Sequence, residues 1–281
     1  MKFILKDKVS PENWIFNSEL GLVPLEVHIM KLVSHRAIIR FFDYFTDLKY
    51  TYLVTELHGT SWTWPNPQLS VTWNPGLRTP GQLLQMATKL MKETSNLLGH
   101  VKRTPCDLFE CIEAHVELPI CTIRRIFSQI VDAVIYLYSI GIVHRDIKDE
   151  NIVVDAQYNI KIIDFGSASF IPVLTDDKSK EGYFEKFNGT MAFAAPEIIR
   201  GYRYKASEAE VWSLGVLLYT MVFKKSPFSN SESILNTQIQ LPATDKEFLY
   251  DLINKMLAKD PKKRIRLLEL KDHSFMTQTF K

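Results

Sequence analysis

Cysteine is scarce in this sequence. Only Cys106, Cys111 and Cys121 occur among the 281 residues. An odd number of cysteines cannot all pair within one chain, and the spacing of these three matches no zinc-binding pattern. The scarcity excludes a disulfide scaffold and a structural zinc site, and it indicates free thiols in a reducing compartment.

The sequence also has no long apolar run. Lys2, Lys6, Asp7 and Lys8 interrupt the first apolar residues, so no signal peptide is predicted. The most apolar segment, 211–223, is too short to span a bilayer. We therefore expect a cytoplasmic protein, with the nucleus as the alternative, and no membrane partner.

Charge of one sign is not in excess. The 34 Lys and Arg residues nearly balance the 32 Asp and Glu residues, and the formal net charge is +2. No stripe of basic residues is evident, so we expect no nucleic-acid partner. Hydrophobic residues make up 46% of the chain. A chain of this size buries about 75% of its unfolded surface, which is enough for one large domain or two lobes.

Apolar patterns divide the chain into a first part with strands and a second part dominated by helices. The predicted elements are a strand at 3–5, a helix beginning near Pro24, a hairpin at 40–45 and 50–55, a helix with an apolar face from Ile126 to Tyr138, strands at 152–154 and 161–163, and helices at 207–223 and 248–257. This order predicts an α+β fold with a small sheet lobe and a mainly helical large lobe.

The segment from about 60 to 104 does not follow this pattern. It is first rich in tryptophan and proline, and then Thr79-Pro80-Gly81-Gln82 has the features of a helix start. It carries no recognisable chemistry. The sequence therefore predicts a partial small lobe at 1–58, an insertion at 59–104 and the large lobe at 105–281.

The densest polar stretch, Val-His-Arg-Asp-Ile-Lys-Asp-Glu-Asn at 143–151, is followed by Asp-Phe-Gly at 164–166. Phosphoryl transfer depends mostly on positioning and on neutralising charge. An acceptor hydroxyl needs a carboxylate to take its proton, Mg²⁺ needs hard oxygen ligands, and a lysine steadies the γ-phosphate. Asp146, Lys148, Asn151 and Asp164 supply these groups.

Taken alone, each motif has an ordinary structural explanation: Asp-Phe-Gly is usually a turn, and His144 is a typical core histidine. Together, these motifs and Ala-Pro-Glu at 195–197 resemble the protein-kinase signature set over nearly all of the chain apart from the insertion. Ile-Lys-Asp-Glu-Asn at 147–151 and Asp-Phe-Gly-Ser-Ala at 164–168 look most like PAS-domain-regulated Ser/Thr kinases, particularly fungal ones.

The resemblance implies a two-lobed protein-kinase-like fold, ATP and Mg²⁺ as cofactors, and transfer of the γ-phosphate to Ser/Thr hydroxyls of protein substrates. It implies that Asp146 is the catalytic base, that Lys148 contacts the γ-phosphate, and that Asn151 and Asp164 are the metal ligands. A lysine two residues after the aspartate is typical of Ser/Thr kinases rather than tyrosine kinases.

The resemblance also implies residues that bind the nucleotide. Thr55 matches the gatekeeper, Glu56 and Leu57 begin the hinge, Asp107 matches the acidic residue near the ribose, and Val153 falls at the same site. An exposed acidic residue is also common as plain solvated surface, so both interpretations of Asp107 stay open.

Kinases have a strand lysine that contacts the α- and β-phosphates and pairs with a helix glutamate. The matching glutamate is Glu26, and Lys2 is the favoured lysine, with Lys6 and Lys8 as alternatives. The glycine-rich loop belongs upstream of that lysine. We therefore expect an N-terminally incomplete small lobe, weak binding of Mg·ATP and slow phosphate transfer.

Several other positions match family residues that support the site. Met30, Phe41, His144 and Phe165 match a hydrophobic spine, and Thr190 matches a residue that contacts Asp146 and Lys148. Glu197 matches the partner of Arg264, and Glu210 matches the residue beneath the catalytic loop, where most kinases have aspartate. In the activation loop Lys186 stands at the usual phosphorylated position, and Glu185 is the expected partner of Arg145.

Two functions are compatible with these residues. The first is a protein serine/threonine kinase, for which Asp107 and Glu150 imply a basic residue N-terminal to the acceptor. The second is a kinase-like scaffold or regulatory binding module that no longer turns over. The resemblance further implies a regulatory PAS domain upstream in a full-length protein, and no segment of this sequence resembles one.

Overall fold

The computed structural model describes residues 1–58, 107–174, 181–241 and 246–278. These residues form the α+β arrangement of a small sheet lobe and a mainly helical large lobe. The insertion predicted at 59–104 lies outside the described residues, so the domain boundaries stay a prediction. None of the described helices combines the length and the apolar character needed to cross a membrane.

The small lobe is built on a three-stranded antiparallel sheet with the order β1–β5–β4. Its elements are β1 (Lys2–Leu5), β2 (Trp14–Asn17), β3 (Gly21–Pro24), α1 (Leu25–Leu32), β4 (Phe41–Thr46) and β5 (Tyr50–Thr55). In the register of β1 with β5, Lys2 is opposite Leu53. The predicted first strand, helix and hairpin are therefore present, although β4 begins at Phe41 rather than at residue 40.

Helix α1 presents one buried face to the rest of the molecule. Val27 and Ile29 are fully buried, and Met30 is 2% exposed. Glu26 lies on this helix and is only 9% exposed, an unusual environment for a carboxylate. The burial of this helix therefore fixes a charged side chain between the lobes.

The β2–β3 hairpin was not predicted. Trp14 pairs with Pro24 and Asn17 pairs with Gly21. Oδ1 of Asn17 accepts hydrogen bonds from the backbone N–H groups of Glu19 and Leu20, and Gly21 has a φ of 74°, which favours glycine. The turn chemistry was present in the sequence, but each flanking apolar run is too short for a periodic signal.

The large lobe surrounds helices α3 and α5. Its elements are α2 (Leu108–Ala114), α3 (Ile120–Ser139), β6 (Ile142–Val143), β7 (Ile152–Val154), β8 (Ile160–Ile162), β9 (Ser169–Phe170), α4 (Pro196–Ile199), α5 (Ala206–Phe223), α6 (Ser231–Asn236), α7 (Glu247–Met256) and α8 (Ser274–Thr277). The strand expected at 161–163 is shifted by one residue, because Val154 pairs with Ile160 and Ile152 pairs with Ile162.

Close packing of α5 against α7 depends on Gly215. A Cβ atom at this position would lie 2.9 Å from Cδ2 of Leu257 and 2.9 Å from Cβ of Met256, so a larger residue would push the helices apart. Trp212 on α5 is fully buried and stacks on Phe228 at 5.4 Å between ring centroids. This rigid helix lies directly beneath the polar loop that follows β6.

Two small sheets hold the ends of the polar loops. Strand β6 pairs with β9, and β7 pairs with β8. The loop 144–151 therefore begins at β6 and ends at β7, while the loop 163–168 runs from β8 to β9. The two pairings bring these loops together, although 12 residues of the chain separate Asn151 in the first loop from Asp164 in the second.

Candidate active site

Lys2 lies between two carboxylates at the junction of the lobes. Its Nζ donates hydrogen bonds to Oε1 of Glu26 at 2.6 Å and to Oδ1 of Asp164 at 2.7 Å. Burial lowers the pKa of Lys2, but the attraction of Glu26 and Asp164 outweighs burial, so the pKa lies above its ordinary value. The ammonium therefore stays charged at neutral pH and joins β1, α1 and the loop after β8.

The two alternative lysines lie elsewhere. Nζ of Lys6 donates to the backbone carbonyl oxygen of Asp47 in the β4–β5 turn, and Lys8 is exposed. Of the three lysines, only Lys2 contacts Glu26 within the described residues. The structure thus favours the pairing that the sequence ranked first.

The carboxylate of Asp146 is held by hydrogen bonds on both oxygens. Oδ1 accepts from the backbone N–H and from the hydroxyl of Thr190, each at 2.8 Å. Oδ2 accepts from Nδ2 of Asn151 at 2.9 Å, and the same amide donates to the carbonyl oxygen of Asp146. These contacts fix the direction of the carboxylate before any substrate binds.

Lys148 lies beside this carboxylate but pairs more closely with another acid. Its Nζ is 3.8 Å from Oδ2 of Asp146 and 2.7 Å from Oε2 of Glu150. The expected contact of Thr190 with Asp146 is present, but no hydrogen bond joins Thr190 to Lys148 in the described part of the chain.

The backbone of both site loops adopts uncommon conformations. Arg145 has a φ of 65° and Asp164 has a φ of 61°, in the left-handed region that costs energy for residues other than glycine. Nε2 of buried His144 lies 3.0 Å from the carbonyl oxygen of Ile163. Because burial lowers the pKa of His144, the neutral ring donates this hydrogen bond and connects the two loops.

Glu210 of α5 supports the loop 144–151 from beneath, as expected. Its Oε1 accepts hydrogen bonds from the backbone N–H groups of His144 at 2.7 Å and Arg145 at 3.1 Å. Oε2 is buried and has no hydrogen-bond partner among the described residues. Burial raises the pKa of Glu210 from 4.5 to about 7. The longer side chain of Glu210 thus supports the loop 144–151 through one carboxylate oxygen.

The predicted hydrophobic spine crosses both lobes. Met30, His144 and Phe165 are each at most 2% exposed, and Phe41 packs half-buried on the same core. The rings of His144 and Phe165 meet edge to face at 4.8 Å between centroids. The buried phenylalanine directs the preceding Asp164 toward Lys2.

The donor set of Asn151 and Asp164 fits a magnesium ion. Nδ2 of Asn151 is used within the loop, which leaves its carbonyl Oδ1 as a hard oxygen. Oδ1 of Asp164 accepts from Lys2 and from the backbone N–H of Gly166, whereas no contact to Oδ2 occurs in the described residues. Burial raises the pKa of Asp164, but Lys2 outweighs this and holds the pKa below its ordinary value.

No group of three or more His, Cys, Asp or Glu side chains that would enclose a metal occurs in the described ranges. Magnesium in phosphoryl-transfer sites commonly takes one or two protein oxygens and completes its shell with phosphate and water. The two side chains of this site agree with that manner of binding.

The residues assigned to the nucleotide lie around the start of the hinge. Oε1 of Glu56 accepts from the backbone N–H of Arg40 at 2.7 Å and pairs with Nζ of Lys161 at 2.7 Å. Its side chain is therefore engaged by the protein, and its backbone N–H also donates to the carbonyl oxygen of Arg40 at 2.9 Å. The side chain of Leu57 is 98% exposed, and Val153 is 9% exposed.

Asp107 lies beside Val153, with which it forms an isolated backbone bridge. Its Oδ1 accepts a hydrogen bond from the backbone N–H of Glu110 at 2.8 Å and caps α2. Burial raises the pKa of Asp107, and the nearby carboxylate of Glu150 adds to the rise. The two acids predicted to meet a basic substrate residue, Asp107 and Glu150, are therefore near enough to influence each other electrostatically.

The predicted pair of Glu197 and Arg264 is present and buried. Nη1 of Arg264 donates to Oε1 of Glu197 at 2.9 Å, and Nη2 donates to Oε2 at 3.0 Å. Arg264 also donates to the carbonyl oxygens of Ala258 and Glu208. This bidentate pair attaches α4 to the chain beyond α7.

The predicted pair of Arg145 and Glu185 is wrong. No salt bridge joins them within the described residues, and Glu185 is exposed. Nε of Arg145 instead donates to the carbonyl oxygen of Ser167 at 2.8 Å, and its guanidinium lies 5.0 Å from the ring centroid of Phe184. With its amide oxygen facing the arginine, Asn188 accepts from Nη2 at 2.7 Å. Sequence reasoning missed these neutral partners, because a backbone carbonyl leaves no signal in residue identity.

These loops, the lysine–glutamate pair and the spine are the site of a protein kinase, and the comparison with known families agrees. The protein kinase domain family matches residues 84–276. The chain belongs to this family.

The resemblance to PAS-domain kinases is also confirmed. The chain is 33% identical over 276 residues to serine/threonine-protein kinase ppk6 of Schizosaccharomyces pombe, covering 97% of this chain and 29% of that protein. It is 31% identical over 281 residues to serine/threonine-protein kinase PSK2 of Saccharomyces cerevisiae, covering 98% and 21%. It is 34% identical over 278 residues to the PAS domain-containing serine/threonine-protein kinase of Mus musculus, covering 99% and 16%. The chain thus spans less than a third of the length of each of these relatives.

Proposed function

We propose that this chain transfers the γ-phosphate of ATP, bound with Mg²⁺, to Ser or Thr hydroxyls of protein substrates. The observation that carries the proposal is the simultaneous pairing of Lys2 with Glu26 and Asp164 beside an Asp146 carboxylate held on both oxygens. This arrangement aligns a phosphate-binding cation, a metal ligand and a base in one cleft.

In the reaction, the acceptor hydroxyl oxygen forms a bond to the γ-phosphorus while the bond from that phosphorus to the β–γ bridging oxygen breaks. The hydroxyl proton goes to Asp146, and ADP leaves with the bridging oxygen. Thr190 and Asn151 already orient the base, so little reorganisation accompanies proton transfer.

The cations of the site have separate tasks. Lys2 meets the α- and β-phosphates, and Lys148 meets the developing charge on the γ-phosphate. Burial lowers the pKa of Lys148, but Glu150 and Asp146 outweigh it and hold the pKa above its ordinary value. Asn151 and Asp164 would hold a metal ion, which would supply further neutralisation of phosphate charge.

A single substitution tests the assignment of the base. Asp146→Asn is expected to lower kcat by about 10²- to 10⁴-fold, the range typical of a general base. The measurement is transfer of γ-phosphate from labelled ATP to a Ser peptide library. Asp272→Asn, which removes an exposed carboxylate distant in sequence from the site, is the matched control and is expected to keep full activity.

The alternative is a kinase-like scaffold or regulatory module. It predicts that the unaltered chain binds Mg·ATP, seen as a rise in Tm, without transfer to any peptide in the library. Equal transfer by the unaltered chain and Asp146→Asn would instead show that Asp146 is not the base.

We also propose that substrates carry a basic residue, most simply Arg, N-terminal to the acceptor. The carboxylate of Glu150 lies near enough to Asp107 to raise the pKa of Asp107, and it remains 61% exposed although it also pairs with Lys148. Arginine pairs with carboxylates in a bidentate, geometrically selective way. A positional peptide array measures this preference. Equal phosphorylation of peptides with and without the upstream basic residue would contradict it.

A PAS domain elsewhere in a longer protein would regulate the kinase, and the similarity to the PAS domain-containing serine/threonine-protein kinase of Mus musculus supports this. The site of action would be the cytoplasm, with the nucleus as the alternative. Microscopy of a fluorescent fusion tests the location, and adding a PAS domain in trans while measuring kcat tests the regulation.

A further inference from the structure

Two adjoining cavities lie on the large lobe at the base of α4 and α5. Each has a volume of about 650 to 660 Å³, and they share Tyr183, Lys205, Glu208, Pro261 and Lys262 as lining residues. Because they share one side, they form an elongated concave surface, here called the basic groove. None of the residues assigned to phosphate transfer lines it.

Four cations of the basic groove have no carboxylate partner. Arg200, Arg203, Lys205 and Lys262 line the groove, and none of them forms a salt bridge within the described residues. Arg203 and Lys205 are instead placed over the ring of Tyr183, at 4.7 and 5.7 Å from its centroid. The aromatic ring holds two cations side by side without neutralising either of them.

The carboxylates of the basic groove have partners of different kinds. Glu197 is held by both terminal nitrogens of Arg264. Glu181 accepts from the backbone N–H and the hydroxyl of Ser207. Oδ1 of Asp260 accepts from the backbone N–H of Lys262 at 3.0 Å.

Glu208 is the one acid that lines both cavities without a salt bridge in the described part of the chain. Glu181 and Asp260 also form no salt bridge in that part of the chain, and hydrogen bonds from neutral groups leave their charge in place. The two cavities are lined by seven Lys and Arg residues and five Asp and Glu residues, so the basic groove keeps an excess of positive charge.

The environment of Lys259 agrees with this excess. It lines the same groove and donates to the carbonyl oxygen of Ile234 at 2.5 Å. Burial lowers the pKa of Lys259 to about 8, and repulsion from Arg200 and Arg264 adds to the fall.

We propose that the basic groove binds an acidic peptide segment of a partner protein. This docking is separate from phosphate transfer and does not rest on the proposed activity. Charge complementarity carries the assignment, because carboxylates of the peptide would supply the counter-charges that the four cations lack.

The shape of the basic groove favours a peptide over a membrane surface. The cations line a concave surface whose walls include Leu268, which is 58% exposed, and Tyr202, which is 62% exposed. An extended peptide can place carboxylates on the cations and apolar side chains between them, whereas a bilayer is flat on this scale. Exposed tyrosine beside arginine is also typical of protein interfaces.

The probe is a fluorescein-labelled decapeptide of alternating Glu and Ala, with alternating Gln and Ala as the neutral peptide. Fluorescence anisotropy gives the Kd for the unaltered chain. The variant Arg203→Ser, Lys205→Ser, Lys262→Ser is expected to weaken binding by about tenfold or more, since three charge pairs are lost. Raising the ionic strength to about 1 M should weaken binding further, because the Debye length falls to about 3 Å.

A second triple variant separates the basic groove from the overall charge of the chain. Lys8→Ser, Arg36→Ser, Lys49→Ser removes three exposed positive charges from the small lobe and its junction. It is expected to keep the Kd within about twofold, because charges beyond a Debye length of about 8 Å are screened. Thermal unfolding shows whether each variant remains folded.

Four outcomes would overturn the proposal. They are no binding of the acidic peptide, equal binding of the neutral peptide, equal weakening by the two triple variants, and capture of phosphatidylserine vesicles without binding of the peptide. The last would assign the basic groove to a membrane surface. Because every readout is binding, a failed kinase assay leaves the result unaffected.

Discussion

Thr190 bonds twice to a single oxygen of Asp146: its backbone N–H and its hydroxyl both donate to Oδ1 at 2.8 Å. Residue 190 lies 44 positions beyond Asp146 in the chain. The close approach of the intervening loop depends on Gly189, where a Cβ atom would lie 2.5 Å from the carbonyl oxygen of Arg145. The orientation of the proposed base is thus set by a distant segment.

Removing the hydroxyl should therefore reduce catalysis without unfolding the chain. Thr190→Ala loses one hydrogen bond to a charged group, worth about 1.5–3 kcal/mol, and we expect kcat to fall by about tenfold or more. Thr190→Ser retains the hydroxyl and is expected to stay within a few-fold of the unaltered chain. Steady-state kinetics of both variants tests this, and equal activity of Ala and Ser at this position would contradict it.

The carboxyl of Glu210 should make stability depend on pH. Burial raises its pKa in the folded state from 4.5 to about 7, so its protonated form favours folding. This contribution is fully present below about pH 4.5 and is lost as the pH rises through about 7, a change of about 3 kcal/mol.

The free energy of unfolding, measured by urea denaturation between pH 5 and 8, should therefore fall less steeply for Glu210→Gln. The amide cannot titrate, although its NH₂ group is left unpaired and lowers stability at every pH. Parallel pH curves for the variant and the unaltered chain would show that Glu210 does not titrate in this range.

The buried pair of Glu197 and Arg264 should respond very differently to single and double replacement. Arg264→Ala leaves a buried carboxylate without its partner, and we expect a loss of about 3–5 kcal/mol in the free energy of unfolding. The double variant Glu197→Leu, Arg264→Met removes both charges and should lose less. Chemical denaturation measures both, and a double variant less stable than Arg264→Ala would refute the argument.

Order in the activation loop should not require phosphorylation. Arg145, the usual partner of a loop phosphate, is already engaged by the carbonyl oxygen of Ser167 and the ring of Phe184. We expect phosphatase treatment to leave phosphate transfer unchanged. A loss of activity on treatment, restored by rephosphorylation, would disprove this expectation.

The residues that come together in the site could be named from the sequence, because phosphoryl transfer needs particular residue types for its base and its metal ligands. Asp146, Asn151 and Asp164 are each the required residue type at the required spacing, and the structure brings them together through the β6–β9 and β7–β8 pairings. The bidentate pair of Glu197 and Arg264 was likewise predictable, since both partners are specific residue types.

Contacts set by the path of a loop were not predictable. Glu185 has the right charge to meet Arg145, but stacking of Phe184 on Tyr204 at 5.8 Å fixes the direction of the chain, and Glu185 remains exposed. The β2–β3 hairpin was missed for a different reason. Its strands are four residues each, too short for periodicity to separate them from a loop.

The same hairpin has a mechanical consequence for the enzyme. Nδ2 of Asn17 lies 3.0 Å from Nδ1 of His28, and Lys31 pairs with Glu19, so the turn of the hairpin is attached to α1. A load applied at the hairpin tip would be transmitted as rotation of α1. Because Glu26 belongs to that helix, a small rotation would separate its carboxylate from Lys2. A force on the outer surface of the small lobe would therefore change the electrostatics of the cleft.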